Sequence, residues 1–540
     1  MSSSVPSPQR TPNETIEERL SIHVVGKRKP EEGMAGPFLL WPPLVVILLV
    51  AFRAFLEVRI PLSGDEAYYW LWGKHLALGY HDHPPLIGWL IGLSTLFSNQ
   101  LFWVRLPALI CGLLSALFIY LAARDILESR QKASMTLLLF LVMPMLAVSS
   151  IAVFTDTPLI FGWALCIWAT WKAQNDDRYW LLSGFAIGIA LLSKLIGVFL
   201  FASLGMFFLV NRESRSFFKN KLFWGGMGVC ALVALPVFIW NLNHHFENLF
   251  FQAHDHLTNP PASPLFSFLG YVGVQALSAS PLIFLLFIPT VVMLVKQSWQ
   301  GDRASQFLLS FALPIHVTFL LLSFWARVGF HWAVPGYLAL LIAMPKLDGW
   351  KKWIPWSIGM SLGFTLLFYT ALGFPSTVAQ RVMALDSRHP QWKIASFLSG
   401  KGYGEILGYE NLAEEVKTRV DSGKNGNSPF ILTDSYTLSS DFAYYLKRQT
   451  FTLLLSGQGG QYARWSDYEK LRGKDALWID FSSMESQPNV GHLLRQAFRS
   501  LGPEEKIKIR NGLVTRSFYF VPLYQLQEPK GLHPSIPDVP

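Results

Sequence analysis

Long apolar runs separated by short polar joints fill residues 38–375 of the chain. Stretches such as 232–240 and 307–325 carry no Asp, Glu, Lys or Arg. Charge is costly at membrane depth, so uninterrupted runs of this kind predict membrane-spanning helices. The pattern places helices at 38–56, 104–122, 134–153, 158–171, 180–193, 195–210, 222–241, 279–295, 306–325, 334–345 and 353–374, about eleven in all, several of them shorter than the usual span. The apolar piece at 86–97 is too short to cross and reads as interfacial or re-entrant. After residue 375 the pattern changes. Strand-like runs at 430–433, 450–455, 476–479 and 518–523 alternate with helix-like stretches at 413–419 and 468–472. That alternation predicts a soluble α/β domain over 376–540.

Composition sharpens this reading. The 540 residues are 51% hydrophobic and only 15% charged, against about 25% charged in soluble proteins. The net charge of +9 does not indicate nucleic acid, because the basic residues sit in the short joints, where they report topology. With a cytoplasmic N-terminus and a non-spanning 86–97, the cytoplasmic side holds Arg10, Arg19, Lys27, Arg28 and Lys29, then Arg124, Arg130 and Lys132, then Lys172 and Arg178, then Arg212, Arg215, Lys219 and Lys221, then Lys296 and Arg303, and finally Lys346, Lys351 and Lys352. The outer side keeps few: Arg53, Arg59, Lys74, Arg105, Lys194 and Arg327. Residues 1–37 are polar and read as a disordered cytoplasmic tail. The span 38–375 forms the transmembrane part, with a first outer loop at 57–103. The three cysteines lie inside apolar runs and offer neither a disulfide framework nor a metal motif.

The topology gathers the polar chemistry on one face. The first outer loop contains Ser63-Gly64-Asp65-Glu66 and then Tyr80-His81-Asp82-His83-Pro84-Pro85. Ser63 or Asp65 can cap a short helix over about 66–78, and adjacent carboxylates at a helix start are often only caps. Clustered carboxylates and imidazoles at a membrane surface also suit acid–base work or an ion. Asp156 stands between two apolar runs, where it either caps a turn or serves a site. Lys194 interrupts a continuous apolar stretch, either snorkelling or functional. The 242–265 loop carries His244, His245, Glu247, His254, Asp255 and His256. It leaves room for a divalent cation, although it lacks a diagnostic ligand spacing. Arg327 and His331 mark another outer helix end.

These pieces together make the chain familiar. Asp65-Glu66 after the first helix, Pro84-Pro85-Leu86, Arg105-Leu106-Pro107, Thr155-Asp156 and Ser193-Lys194 follow in order through roughly residues 38–345. In this the chain resembles the GT-C membrane glycosyltransferases of the protein mannosyltransferase type, which include the bacterial lipid A aminoarabinose transferase. The resemblance implies a polytopic α-helical membrane protein, a polyprenyl-phosphate-sugar donor rather than a nucleotide sugar, and a lipid, glycan or protein acceptor. It further implies the bacterial inner membrane, with the C-terminal domain in the periplasm. The implied catalytic residues are Asp65 and Asp156, with substrate contacts from Glu66, Tyr80, His83, Lys194, Arg327 and His331. Two departures stand out. His83 occupies the place of the lysine that precedes Pro-Pro in the aminoarabinose transferase, and that transferase has more transmembrane helices. The rival class is a transporter or lipid flippase, for which sites near the midplane and two similar halves are expected.

Overall fold

A computed structural model describes residues 41–251, 261–388, 409–422, 428–453, 460–511 and 514–532. The chain divides into a short unit, 1–45, and one compact unit, 46–540. The expected tail and the residues His254, Asp255 and His256 lie outside the described residues.

The helices begin with α1 (Trp41–Glu57), α2 (Gly64–Lys74), α3 (Leu86–Ser94) and α4 (Leu101–Leu127). Next come α5 (Arg130–Val142), α6 (Pro144–Val148), α7 (Asp156–Ala173), α8 (Tyr179–Ser193), α9 (Phe199–Val210) and α10 (Lys221–Asn243). They continue as α11 (Pro264–Ala279), α12 (Pro281–Trp299), α13 (Arg303–Leu322), α14 (Val334–Ala343), α15 (Trp353–Gly373) and α16 (Pro375–Arg388). The helix expected at 279–295 is α12, which starts at Pro281 after Ser280 at φ 71°, and a separate helix precedes it. That leaves α11 as a helix the pattern did not reveal. The run at 134–153 likewise breaks at Met143, before Pro144.

Among the described residues, five helices are long and apolar enough to cross a membrane, namely α4, α10, α12, α13 and α15. A sixth crossing results if 195–210 and the 3-10 turn Glu213–Lys219, bent by 120° from it, count as one span. The apolar helices α8 and α11 and the Val334–Lys346 stretch are shorter. Large apolar side chains such as Leu209, Leu232, Phe266 and Ile288 point outward, an arrangement stable against lipid rather than water. Close approach replaces hydrophobic driving force inside the bundle. A Cβ on Gly184 of α8 would lie 1.8 Å from the Gly226 carbonyl oxygen of α10, so only glycine lets these helices touch backbone to backbone.

The C-terminal segment is an α/β layer. Its sheet runs β2 (Thr450–Thr452), β1 (Phe430–Thr433), β3 (Ala476–Asp480), β6 (Val514–Leu526), β4 (Phe498–Leu501), with β5 (Glu505–Asn511) also paired to β6. The strands β2, β1 and β3 are parallel, and the rest are antiparallel to β6. Period-two alternation sorts the core. Ile431, Leu477, Ile479, Phe518 and Phe520 pack toward α17 (Tyr409–Asp421) and α18 (Tyr436–Leu446). Leu432, Trp478, Val521 and Leu523 pack toward α19 (Pro488–Ala497) on the other face.

This layer sits on α2, in the loop at 57–103. Helix α18 packs along α2, and a Cβ on Gly64 would meet the Thr437 Cβ at 2.4 Å. Tyr436, Ala443, Tyr444 and Tyr462 share one core with Tyr68, Trp70 and Trp72.

Candidate active site

The first helix of the loop does not depend on Asp65 for its cap. Ser63 caps α2, accepting from the Glu66 amide while the Glu66 carboxylate accepts from the Ser63 amide. This reciprocal cap satisfies the helix start and leaves Asp65 outside it. Glu66, expected to touch substrate, is instead committed to the frame. Arg105 is fully buried and spends all five N–H donors. Two go to Glu66, at 2.8 and 2.7 Å, and three to the carbonyls of Glu57, Ile60 and Pro61. Glu66 also accepts from the Val153 amide at 3.1 Å. One ion pair thus ties α1, α2, α4 and the turn before α7. An ammonium has three donors and no planar fork, so Arg105→Lys is expected to cost about 3–5 kcal/mol by leaving a buried pair half-made. The check is the thermal midpoint and yield of the purified membrane protein.

Asp65 opens into a cavity of about 340 Å³ whose wall includes Asp82, His83, Asp156, Lys194 and His331. Five of the eight residues singled out in the sequence therefore meet: Asp65, His83, Asp156, Lys194 and His331. Asp156 does not cap its helix. Its carboxylate accepts from the Lys194 ammonium at 2.9 and 3.1 Å, and His331 Nε2 stands 3.7 Å from it. Lys194 is the extended residue that ends α8, with φ −160° and ψ 144°. That break turns its side chain into the cavity, where its ammonium donates to Asp156.

Tyr80 and Arg327 stand elsewhere. Tyr80 is buried, stacked on Trp72 with centroids 4.1 Å apart, and donates to the Trp72 carbonyl at 2.9 Å. Its amide donates to the His83 carbonyl at 3.1 Å, so Tyr80 shapes the turn that presents His83. Arg327 is exposed and is not part of the cavity wall; the nearby Gly329–Trp332 stretch is.

Two wall residues were not foreseen. Asp82, flanked by the two imidazoles, accepts from the Tyr68 hydroxyl at 2.5 Å; a third carboxylate in that loop was its only signal. Tyr436 comes from the C-terminal layer and donates to Asp65 Oδ1 at 2.9 Å. Burial and the facing Asp65 charge push its phenol well above the ordinary range, so it stays a donor. Nothing in the sequence links positions 371 residues apart.

The loop after α10 serves as a seam. Glu247 pairs with His81 of the first loop at 2.7 Å and with Arg464 of the C-terminal layer. Burial raises its carboxyl, but the His81 hydrogen bond and the His81 and Arg464 charges win and hold it below the usual range. A depressed carboxyl stabilises fully above its ordinary value, and that contribution is lost as pH falls through the folded value. The wild-type melting temperature is therefore expected to fall more steeply between about pH 5 and pH 3 than that of Glu247→Gln, as read by differential scanning fluorimetry. His244 is occupied by the Trp240 carbonyl at 2.7 Å. Among the described residues no group of three His, Cys, Asp or Glu is placed to hold a metal.

Comparison with known proteins shows what the chain is similar to in sequence and fold. Residues 82–240 match the family model described as dolichyl-phosphate-mannose-protein mannosyltransferase. The chain is similar to the lipid A galacturonosyltransferase RgtD of Rhizobium johnstonii, 23% identical over 401 residues, covering 73% of this chain and 80% of the relative. It is also similar to the undecaprenyl phosphate-alpha-4-amino-4-deoxy-L-arabinose arabinosyl transferase 1 of Pseudomonas fluorescens, 25% identical over 303 residues, covering 49% of this chain and 52% of the relative. In fold it matches the crystal structure of ArnT from Cupriavidus metallidurans in the apo state, with a TM-score of 0.62, 16% identity, and coverage of 90% of this chain and 97% of that one. Family match, relatives and fold point the same way: the chain is a membrane glycosyltransferase, similar in sequence to the lipid A galacturonosyl and aminoarabinose transferases and in fold to the latter.

Proposed function

We propose that the protein transfers a sugar from a polyprenyl-phosphate carrier to a hydroxyl of a lipopolysaccharide-type glycolipid, at the outer face of the bacterial inner membrane. One observation carries this reading: a carboxylate, Asp65, and a cation, Lys194, from distant parts of the chain face the same cavity. The acceptor hydroxyl must lose its proton as it attacks the anomeric carbon, and Asp65 is the base for it. The departing lipid phosphate gains charge and needs cationic donors, which Lys194 and His331 supply. Asp156 holds Lys194 in place. A single displacement inverts the anomeric centre.

The proposal includes the topology: a cytoplasmic tail at 1–37, about eleven crossings over 38–375 with some short helices completing spans, and 376–540 outside. It also assigns the C-terminal layer a part in the site through Tyr436. The names of the two relatives, a lipid A transferase and a user of an undecaprenyl-phosphate sugar, support the donor and acceptor classes.

The test is purified protein given either an undecaprenyl-phosphate sugar or the corresponding nucleotide sugar as sole donor, with lipid A as acceptor. Product from the lipid-linked sugar alone is expected. Product from the nucleotide sugar alone would overturn the donor assignment.

A further inference from the structure

A second cavity, of about 430 Å³, lies between α2 and the C-terminal layer, with Trp70, Lys74, His75, Lys447 and Trp465 in its wall. It is separate from the Asp65 cavity, and the mechanism above makes no use of it. Two ammonium groups share one ring there: Lys74 Nζ stands 5.5 Å and Lys447 Nζ 5.1 Å from the Trp70 centroid. Lys447 also stands 3.8 Å from the Tyr444 centroid. The polar contact of Lys74 is a neutral one, to Thr95 Oγ1 at 3.2 Å. Burial, and then the charge of Lys74, draws the Lys447 ammonium down to about 8. Like charges gathered at a cavity mouth raise its affinity for anions.

Lys447 ends α18 at φ 53° and ψ 38°, the left-handed position that glycine usually fills. Next to the two cations, His75 stacks on the half-buried Trp465 with centroids 5.0 Å apart. A flat aromatic face beside cations suits a ring whose C–H groups carry partial positive charge, together with an attached anion.

We propose that this second cavity holds an anionic sugar headgroup, a pyranose bearing phosphate or carboxylate, on the acceptor glycolipid. The assignment rests on the acceptor class proposed above. Along α2, Lys74 lies nine residues beyond Asp65, a rise of about 13 Å. The anion would therefore sit roughly a disaccharide's length from the hydroxyl that reacts.

The experiment measures binding of soluble probes to the full chain in detergent by calorimetry and saturation-transfer NMR. The probes are glucosamine 1-phosphate, glucosamine and inorganic phosphate. The expected result is glucosamine 1-phosphate binding at least about tenfold more tightly than either fragment. Lys74→Gln, Lys447→Gly and Trp465→Ala should each weaken it about tenfold. Lys447→Gly is the decisive variant, because relieving the left-handed strain should keep or raise the melting temperature while binding falls. Equal binding of phosphate alone, or no response to the three variants, overturns the site. So does a Lys447→Gly defect seen only in attachment to phosphatidylglycerol vesicles, which would make the patch a membrane anchor. Probe binding needs no turnover. A failed transfer assay with probe binding intact therefore removes the proposed function and leaves this site standing.

Discussion

Asp65→Asn is expected to lower the transfer rate by about 10²- to 10⁴-fold, the usual contribution of a positioned general base. The expectation is clean because the substitution leaves the fold nearly untouched. The cap of α2 is made by Ser63 and Glu66, so helix initiation does not depend on residue 65. Asparagine has the same shape and can still accept from the Tyr436 hydroxyl, which reaches Asp65 Oδ1 at 2.9 Å. What is lost is the charge and the ability to take a proton. The measurement is single-turnover transfer by purified protein, with yield and melting temperature recorded alongside. Near-normal turnover in Asp65→Asn would take the base role away from this residue and direct attention to Asp82, the next carboxylate in the same cavity. Glu66→Gln should behave in the opposite way, with damage to the fold preceding any change in chemistry, because Glu66 belongs to the Arg105 clamp.

The contrast between Asp65 and Glu66 shows how far the sequence could be read. Their type and place pointed to a site, and the topology drawn from basic residues led to the expectation that Asp65, His83, Asp156, Lys194 and His331 would gather; they line one cavity. The sequence could not say which of two adjacent carboxylates would turn inward. That depends on Arg105, 39 residues away, claiming one of them. Tyr80 and Arg327 fit the same pattern as their neighbours in the sequence, yet one is buried against Trp72 and the other is exposed. Strands β1 and β3 were legible because their apolar runs are continuous. Strands β4 and β5 were not, since charged Arg499, Lys506, Lys508 and Arg510 interrupt them. Helix α18 was equally hidden, although it delivers Tyr436. The helix break at Met143 escaped notice because apolar composition continues across it. Hydropathy records burial in lipid, not the backbone turn within it.

Lys194→Ala is expected to slow transfer by roughly 30- to 1000-fold, or about 2–4 kcal/mol of transition-state stabilisation. A sugar ester of a lipid phosphate carries one negative charge, and the departing monoester gains a second as the bond breaks. A cation beside that oxygen is therefore worth more at the transition state than in the bound donor, and kcat should fall further than the donor KM rises. The difficulty is that Lys194 also neutralises buried Asp156, at 2.9 Å. Removing the lysine alone strands that carboxylate, a change that can destabilise by about 3–5 kcal/mol. Lys194→Ala combined with Asp156→Asn separates the two effects. The double variant should regain stability relative to Lys194→Ala, because no buried charge is left unpaired, and yet stay slow. Recovery of activity in the double variant would mean that Lys194 serves only as the partner of Asp156. Lys194→Arg should restore little, because a planar guanidinium ending a break between two helices cannot place its donors where a compact ammonium does. Kinetics on all three variants, with folding monitored in the same preparations, distinguish a phosphate contact from a structural pair.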